Sequence, residues 1–125
     1  MTVKDFKTIF TILSLGILLA GCGQSPPKLT HFKAINERFQ TVFESADSNQ
    51  LKNINQLFHE RHEANNAAAE FDYLLDLTTE EGTARWRCSS NGYCQKRTTG
   101  TQMQVTIYRL ERYRELYDLI NLTVD

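Results

Sequence analysis

Apolar side chains recur at helical spacing through the first half of the chain after residue 30. From Thr30, a suitable N-cap, a first periodic series runs through Phe32, Ile35, Phe39, Val42, Phe43 and Ala46. Asp47-Ser48-Asn49 interrupts this series and can cap a second helix. The second series runs through Leu51, Ile54, Leu57, Phe58, Ala64, Ala68, Phe71, Leu74 and Leu75. The two series predict amphipathic helices packed as an antiparallel hairpin.

Later in the chain, apolar and polar residues alternate as they do in strands. Ala84–Cys88 and Tyr93–Arg97 are predicted as the arms of a β-hairpin, because Asn91-Gly92 between them favours a tight turn. A third strand after a turn at Thr99-Gly100, followed by a helix from about residue 110, is favoured by Met103, Val105 and Ile107. A single helix over residues 101–122 also fits the apolar spacing, so strand and helix both remain open for residues 101–109.

The first 22 residues have the layout of an export signal. Lys4 and Lys7 precede an apolar stretch of 13 residues, whereas a membrane-spanning helix needs roughly 20. The stretch ends in Leu19-Ala20-Gly21-Cys22, which resembles the lipobox of bacterial lipoproteins. The resemblance covers residues 1–22 and implies removal of residues 1–21 as a signal peptide, with acylation of Cys22 by chains such as palmitate. The alternative is a plain secreted protein in which this cysteine is incidental.

The lipobox resemblance also implies a location in the cell envelope. A cysteine that carries several acyl chains anchors a protein stably in a membrane, whereas one chain binds only marginally. Gly23 stands where an aspartate would resemble an inner-membrane retention signal, so the outer membrane is favoured over the inner one. Residues 22–30 are predicted to form a short tether, which reaches at most about 28 Å beyond Cys22. Whether the domain faces the periplasm or the cell surface stays open.

Lipidation of Cys22 leaves two cysteines, Cys88 and Cys94. An even number of cysteines in an oxidising compartment is typical of disulfide pairing. The turn dipeptide between them brings the thiols together, so we predict a structural disulfide. Closing this short loop is worth roughly 2 to 2.5 kcal/mol of stability. Five intervening residues differ from the Cys-x-x-Cys spacing of redox centres, which argues against catalytic thiol chemistry.

These elements together predict an α+β fold. Its N-terminal helical hairpin packs on a small disulfide-stapled antiparallel sheet, and a C-terminal helix completes the core. Residues 31–125 are long enough for a single small domain and too short for two.

Charge is distributed unevenly along the predicted domain. Residues 31–81 hold four basic and ten acidic residues, and residues 82–114 hold seven basic residues and one acidic residue. The binding candidates all lie in the basic hairpin: Arg85, Trp86, Arg87, Tyr93, Lys96 and Arg97. Strand alternation puts Trp86 on the opposite face from its two arginine neighbours. Such a surface suits an anionic partner. In the alternative interpretation, the acidic helical hairpin neutralises the arginines and Trp86 fills the core.

No motif in the chain predicts catalysis or a metal site. The histidines of His59-Glu60-Arg61-His62-Glu63 are three residues apart, whereas a zincin helix spaces them by four. Exposed helix side chains explain this run, so no metal and no cofactor is predicted. The chain also has no Gly-x-Ser-x-Gly elbow and no phosphate-cradling glycine loop. We therefore do not expect an enzyme.

The expected function is that of a membrane-anchored envelope lipoprotein acting as a non-catalytic interaction module. It would be accessory to a secretion, conjugation or exclusion system, with a membrane-proximal envelope protein as its partner and no role in binding nucleic acid. The alternative is a binder of cell-wall polymer or anionic lipid through the basic aromatic hairpin. The sequence leaves the partner, the biological system and the oligomeric state open.

Overall fold

The computed structural model describes residues 26–65, 69–97 and 106–124. In these ranges the chain forms a seven-stranded antiparallel sheet of order β2-β1-β4-β5-β6-β7-β3, together with two short helices. The strands are β1 (His31–Ile35), β2 (Thr41–Ser45), β3 (Arg61–Glu63), β4 (Tyr73–Thr79), β5 (Gly82–Cys88), β6 (Tyr93–Lys96) and β7 (Ile107–Leu110). The helices are α1 (Ser48–His59) and α2 (Tyr113–Leu119). The described part of the chain is thus mostly sheet, whereas a small sheet packed against a helical hairpin was predicted.

The prediction of an N-terminal helical hairpin was wrong. Its first predicted helix is the β1–β2 hairpin, in which Phe32 and Ala34 are buried at alternate positions. The Asn36 side chain stabilises the turn between the two strands. Its Oδ1 accepts hydrogen bonds from the backbone N–H groups of Arg38 and Gln40 at 2.9 and 3.0 Å. Thr30 caps no helix, and its N–H donates to Thr78 O in β4.

The second predicted helix extends only from Ser48 to His59. Asp47 caps it as predicted, since its Oδ2 accepts a hydrogen bond from Gln50 N–H at 2.9 Å. Of the residues predicted to continue the helix, Leu74 and Leu75 lie in β4, and Ala64 and Phe71 lie outside any helix or strand. Ala68 lies outside the described residues. β4 lies between β1 and β5, where both of its edges are hydrogen-bonded and Leu75 and Leu77 are buried. Pairing with these two strands satisfies its backbone without a helix.

The stapled hairpin was predicted correctly. β5 and β6 pair antiparallel with Cys88 opposite Cys94, and the two cysteines form a disulfide in the core. β7 pairs with β6 and precedes α2, so the described part of residues 101–122 is strand first and helix second. The turn predicted at Thr99-Gly100 and residues 101–105 lie outside the described residues.

Both helices pack on the same face of the sheet. Phe58 of α1 lies edge-on to Trp86 of β5, with ring centroids 4.9 Å apart. Tyr117 of α2 lies edge-on to Tyr73 of β4 at 5.8 Å, and its hydroxyl donates to Ser89 O at 2.7 Å. Since cross-strand neighbours share a face, this helix-covered face forms the core, and the opposite face has no helix over it in the described ranges.

Reduction of the disulfide is expected to lower the free energy of unfolding by roughly 2 to 2.5 kcal/mol, because the seven-residue loop regains its entropy in the unfolded chain. Urea unfolding of the full chain in mild detergent, with and without reductant, measures the change. A Cys88→Ala/Cys94→Ala variant is the control, since reductant should not shift its curve. An unchanged wild-type curve under full reduction would contradict the prediction.

A basic pocket beside the first helix

Arg85, the first of the predicted binding residues, is neutralised inside the fold. Its Nε and Nη2 donate to the two carboxylate oxygens of Asp76 at 2.7 and 2.8 Å. Asp76 is 8% exposed, and its hydrogen bonds raise the pKa of Arg85. This agrees with the alternative hypothesis that an acidic segment neutralises the arginines, but the acidic residue lies in a strand, β4, and not in a helical hairpin.

Arg87 and Tyr93 also make contacts within the sheet. The Arg87 guanidinium donates to Gln95 Oε1 at 2.8 and 3.1 Å and lies 5.0 Å from the ring centroid of Phe71. Tyr93 is half-buried, with the guanidinium of Arg109 over its ring at 5.0 Å. These side chains of the helix-free face are already engaged by neighbours.

The remaining three predicted residues divide between core and surface. Trp86 is 7% exposed on the helix-covered face, so it fills the core, and it lies on the opposite face from Arg85 as alternation predicted. Lys96 is the cross-strand neighbour of Trp86 and is exposed, as is Arg97. The predicted hairpin surface is thus split between two faces of the sheet.

A pocket of about 440 Å³ opens on the helix-covered side, between the end of α1, β5, the end of β6 and the segment before β1. We call it the α1–β5 pocket. Its lining includes Pro27, Asn55, His59, Arg61, Trp86 and Lys96. This volume lies within the range of small-molecule sites.

Arg61, at the start of β3, is the most unusual residue of the pocket. Its guanidinium carbon lies 4.9 Å from the ring centroids of Phe58 and Trp86 and 4.8 Å from that of Tyr108. Nη1 donates to Phe58 O at 3.1 Å, while Nε is buried without a hydrogen-bond partner. Desolvation lowers the pKa of Arg61. Cation–π contacts, rather than a carboxylate, hold this charge.

His59 and Asn55 form the helical wall of the pocket. His59 Nδ1 donates to Asn55 O at 3.0 Å, and desolvation lowers the pKa of His59 despite that bond. The neutral ring thus keeps Nε2 as an acceptor. Asn55 Nδ2 donates to Pro27 O at 2.9 Å, whereas Asn55 Oδ1 is buried without a partner.

The sequence analysis did not predict a site formed by Arg61, His59 and Asn55. The run His59-Glu60-Arg61-His62-Glu63 was interpreted as exposed helix, but α1 ends at its first residue and β3 begins at its third. His62 contacts Glu111 Oε2 at 3.0 Å and does not line the pocket. Among the described residues, no group of three or more His, Cys, Asp or Glu side chains is arranged to hold a metal ion.

The segment before β1 is docked on the domain. Leu29 is 4% exposed, Asn55 Nδ2 donates to Pro27 O, and Thr30 N–H donates to Thr78 O at 2.8 Å. The predicted tether of residues 22–30 is therefore shorter, since its last four residues pack on the fold. Within the described ranges, no helix has the length and apolar character needed to cross a membrane.

The opposite end of β1 carries an exposed aromatic side chain. Phe39 in the β1–β2 turn is 81% exposed and has a φ of 60°, a conformation that bulky residues rarely adopt. No other large hydrophobic residue in the described part of the chain is exposed. The turn that carries it is held by the Asn36 hydrogen bonds.

The chain matches no protein-family model, no curated protein and no solved structure at a significant level.

Proposed function

We propose that the chain is a membrane-anchored envelope lipoprotein that works as a non-catalytic interaction module. Its protein partner binds the end of the sheet that carries Phe39. The observation behind this proposal is the exposure of Phe39 at the end of β1 opposite to the docked tether.

The geometry favours a protein partner over the anchoring membrane. β1 starts directly after Thr30 and spans five residues before the turn, which at about 3.3 Å per residue separates the two ends by roughly 15 Å. With the lipid on Cys22, the docked end of the tether would lie nearer the bilayer than the β1–β2 turn. The turn that carries Phe39 is then the end of β1 farther from the lipid surface.

The β1–β2 turn holds Phe39 ready for binding. Asn36 accepts two backbone hydrogen bonds across the turn, and its own N–H donates to Gln40 O at 2.9 Å. A side chain presented on an ordered turn loses less conformational freedom on binding than one on a flexible loop. Aromatic residues are enriched in the buried centres of protein interfaces. An accessory role in a secretion, conjugation or exclusion system suits a small tethered domain of this kind.

Photo-crosslinking from Phe39 tests the partner. A photoreactive phenylalanine at this position, in the full chain inside cells that naturally express it, is expected to give an adduct with a discrete envelope protein. The matched control carries the same group at Glu80, an exposed residue of the β4–β5 turn near the tether. Identical adducts from both positions, or none from Phe39, would overturn the proposal.

Acylation of Cys22 is tested separately by metabolic labelling. A clickable fatty acid is expected to label the full chain, and Cys22→Ser should reduce the label to background because the acyl acceptor is lost. Cys88→Ser is the control and should label like the wild type, because the Cys88 sulfur is bonded to Cys94 in the core and does not accept an acyl chain. Equal labelling of wild type and Cys22→Ser would refute the anchor.

The alternative function, binding of cell-wall polymer or anionic lipid through the hairpin, receives less support. Arg85 and Arg87 of the hairpin have partners within the sheet, and Trp86 is in the core. Lys96 and Arg97 remain exposed beside the α1–β5 pocket. Binding of an anionic lipid would therefore depend on this pocket and not on the hairpin surface.

A further inference from the structure

Positive charge gathers at the α1–β5 pocket without acidic partners. Arg61, Lys96 and Arg97 line it, and none of the three makes an ion pair in the part of the chain that the structure describes. Arg85 also lines the pocket but is neutralised by Asp76. The one acidic side chain among the lining residues is Glu81, which is exposed in the β4–β5 turn. The pocket therefore has a positive potential.

Part of this positive charge is buried, because the Arg61 side chain lies partly below the protein surface. Its guanidinium is half-buried among three aromatic rings, and buried charges in proteins are normally paired with an opposite charge. The aromatic faces compensate for part of the lost hydration. An anion in the pocket would interact with this cation across a partly desolvated space, where electrostatic attraction is stronger than in water.

We propose that the α1–β5 pocket binds a phosphate group carried on a short polyol, as in the head group of an anionic glycerophospholipid. A phosphate offers several acceptor oxygens, which suits the flexible ammonium of Lys96 and the guanidinium of Arg97 together. The pocket of about 440 Å³ leaves room for the group attached to the phosphate. Thr79 also lines it, and its hydroxyl, which accepts a hydrogen bond from Glu81 N–H, can donate one to a polyol hydroxyl.

The place of the pocket in the fold indicates where the phosphate comes from. Pro27 and Leu29, the docked end of the tether, form part of the lining. The source assignment rests on the lipid anchor of the proposed function, because an acylated Cys22 would hold this end of the domain beside lipid head groups. A soluble phosphorylated polyol offers the same chemistry and is the second source to be tested.

The chain carries its own probe for the test. Trp86 is the single tryptophan of the sequence and lines the pocket. The full chain in an uncharged detergent is titrated with phosphatidylglycerol in mixed micelles and with glycerol 3-phosphate. Phosphatidylcholine, whose zwitterionic head group has no net charge, is the comparison. Saturable change of Trp86 emission with either phosphate-bearing anion, and none with phosphatidylcholine, is expected.

Two variants decide whether the pocket residues bind the anion. Lys96→Gln/Arg97→Gln removes two exposed cations that lack ion pairs and should weaken binding about tenfold or more. Lys52→Gln/Arg38→Gln removes the same charge from exposed positions outside the α1–β5 pocket and should change affinity less than twofold. Equal weakening by both variants, or no emission change with either anion, would overturn the proposal.

The ligand series separates the two phosphate sources. A response to phosphatidylglycerol alone supports a lipid head group, and an equal response to glycerol 3-phosphate supports a soluble phosphorylated polyol. The test is independent of the partner experiment, since the adduct from Phe39 does not involve the pocket. If the Trp86 titration fails while that adduct forms, the pocket inference alone is lost; a titration that succeeds without the adduct removes the proposed protein partner.

Discussion

Replacing Gly92 with alanine is expected to lower the free energy of unfolding by about 3 kcal/mol. Gly92 lies in the β5–β6 turn with a φ of 91°, which strains any side chain. An added Cβ would also lie 2.5 Å from Cγ of Tyr113 and 2.7 Å from its Cβ and Cδ1. Tyr113 is 8% exposed at the start of α2, so it has little room to move. Urea unfolding of the full chain in mild detergent measures the loss.

Gly82 provides the matched control for this substitution. It also has a positive φ, 124°, but an added Cβ there would meet nothing within 4 Å. Gly82→Ala should therefore show the backbone strain alone, roughly 1 to 2 kcal/mol. The difference between the two variants isolates the clash with Tyr113. Equal losses would show that packing of α2 against the β5–β6 turn adds nothing to the cost.

Alkaline pH is expected to destabilise the fold through Tyr117. Burial raises the pKa of Tyr117, and the neighbouring hydroxyls of Tyr73 and Tyr113 add to this shift. An unfolded tyrosine loses its proton near pH 10, so above that pH the folded state binds the extra proton and stability falls as pH rises. The loss approaches about 1.4 kcal/mol per pH unit. Urea unfolding should therefore show about 2 kcal/mol less stability at pH 11.5 than at pH 9.

Tyr117→Phe separates this titration from other alkaline effects. At neutral pH the variant should lose about 1 kcal/mol, because the bond from Tyr117 to Ser89 O disappears. Between pH 9 and pH 11.5 its stability should fall much less than that of the wild type. Tyr93→Phe, at a half-buried tyrosine, is the matched control. If Tyr117→Phe retained the full alkaline fall, other groups would be responsible.

Local signals identified the stapled hairpin correctly. The Asn91-Gly92 dipeptide, the cysteine pair and the alternation of Arg85, Trp86 and Arg87 each concern residues close in the chain. Their physical effects act within about ten residues, since turn geometry and loop closure need no distant partner. The N-cap at Asp47 belongs to the same class, because its hydrogen bond reaches only to Gln50.

The helical prediction for residues 31–46 failed because two periods coexist in that segment. Phe32 and Ile35 fit a helical spacing, while Phe32 and Ala34 fit a strand. The choice depends on β4, more than 35 residues later in the chain, whose backbone pairs with β1 from Leu74 to Thr78. The same pairing converts the end of the second predicted helix into a strand.

The α1–β5 pocket was out of reach of sequence reasoning for a related reason. Arg61 is unremarkable beside other charged residues, and only β3 pairing with β7 brings it against Tyr108 and Trp86. The hairpin arginines were noticed, but whether each has a partner depends on the register of β4 and β6. Ion pairing between strands is a property of alignment across the sheet.

Turns, caps, the disulfide and the face alternation of the hairpin can be inferred from neighbouring residues, because the interactions that produce them are local. The seven-stranded sheet, the docking of Pro27 on α1 and the unpaired charges of the pocket arise from contacts between residues far apart in the chain. Backbone hydrogen bonds can be satisfied either within a helix or between distant strands. The segments that form β1, β2 and β4 suit both, and burial against the rest of the sheet selects the strands.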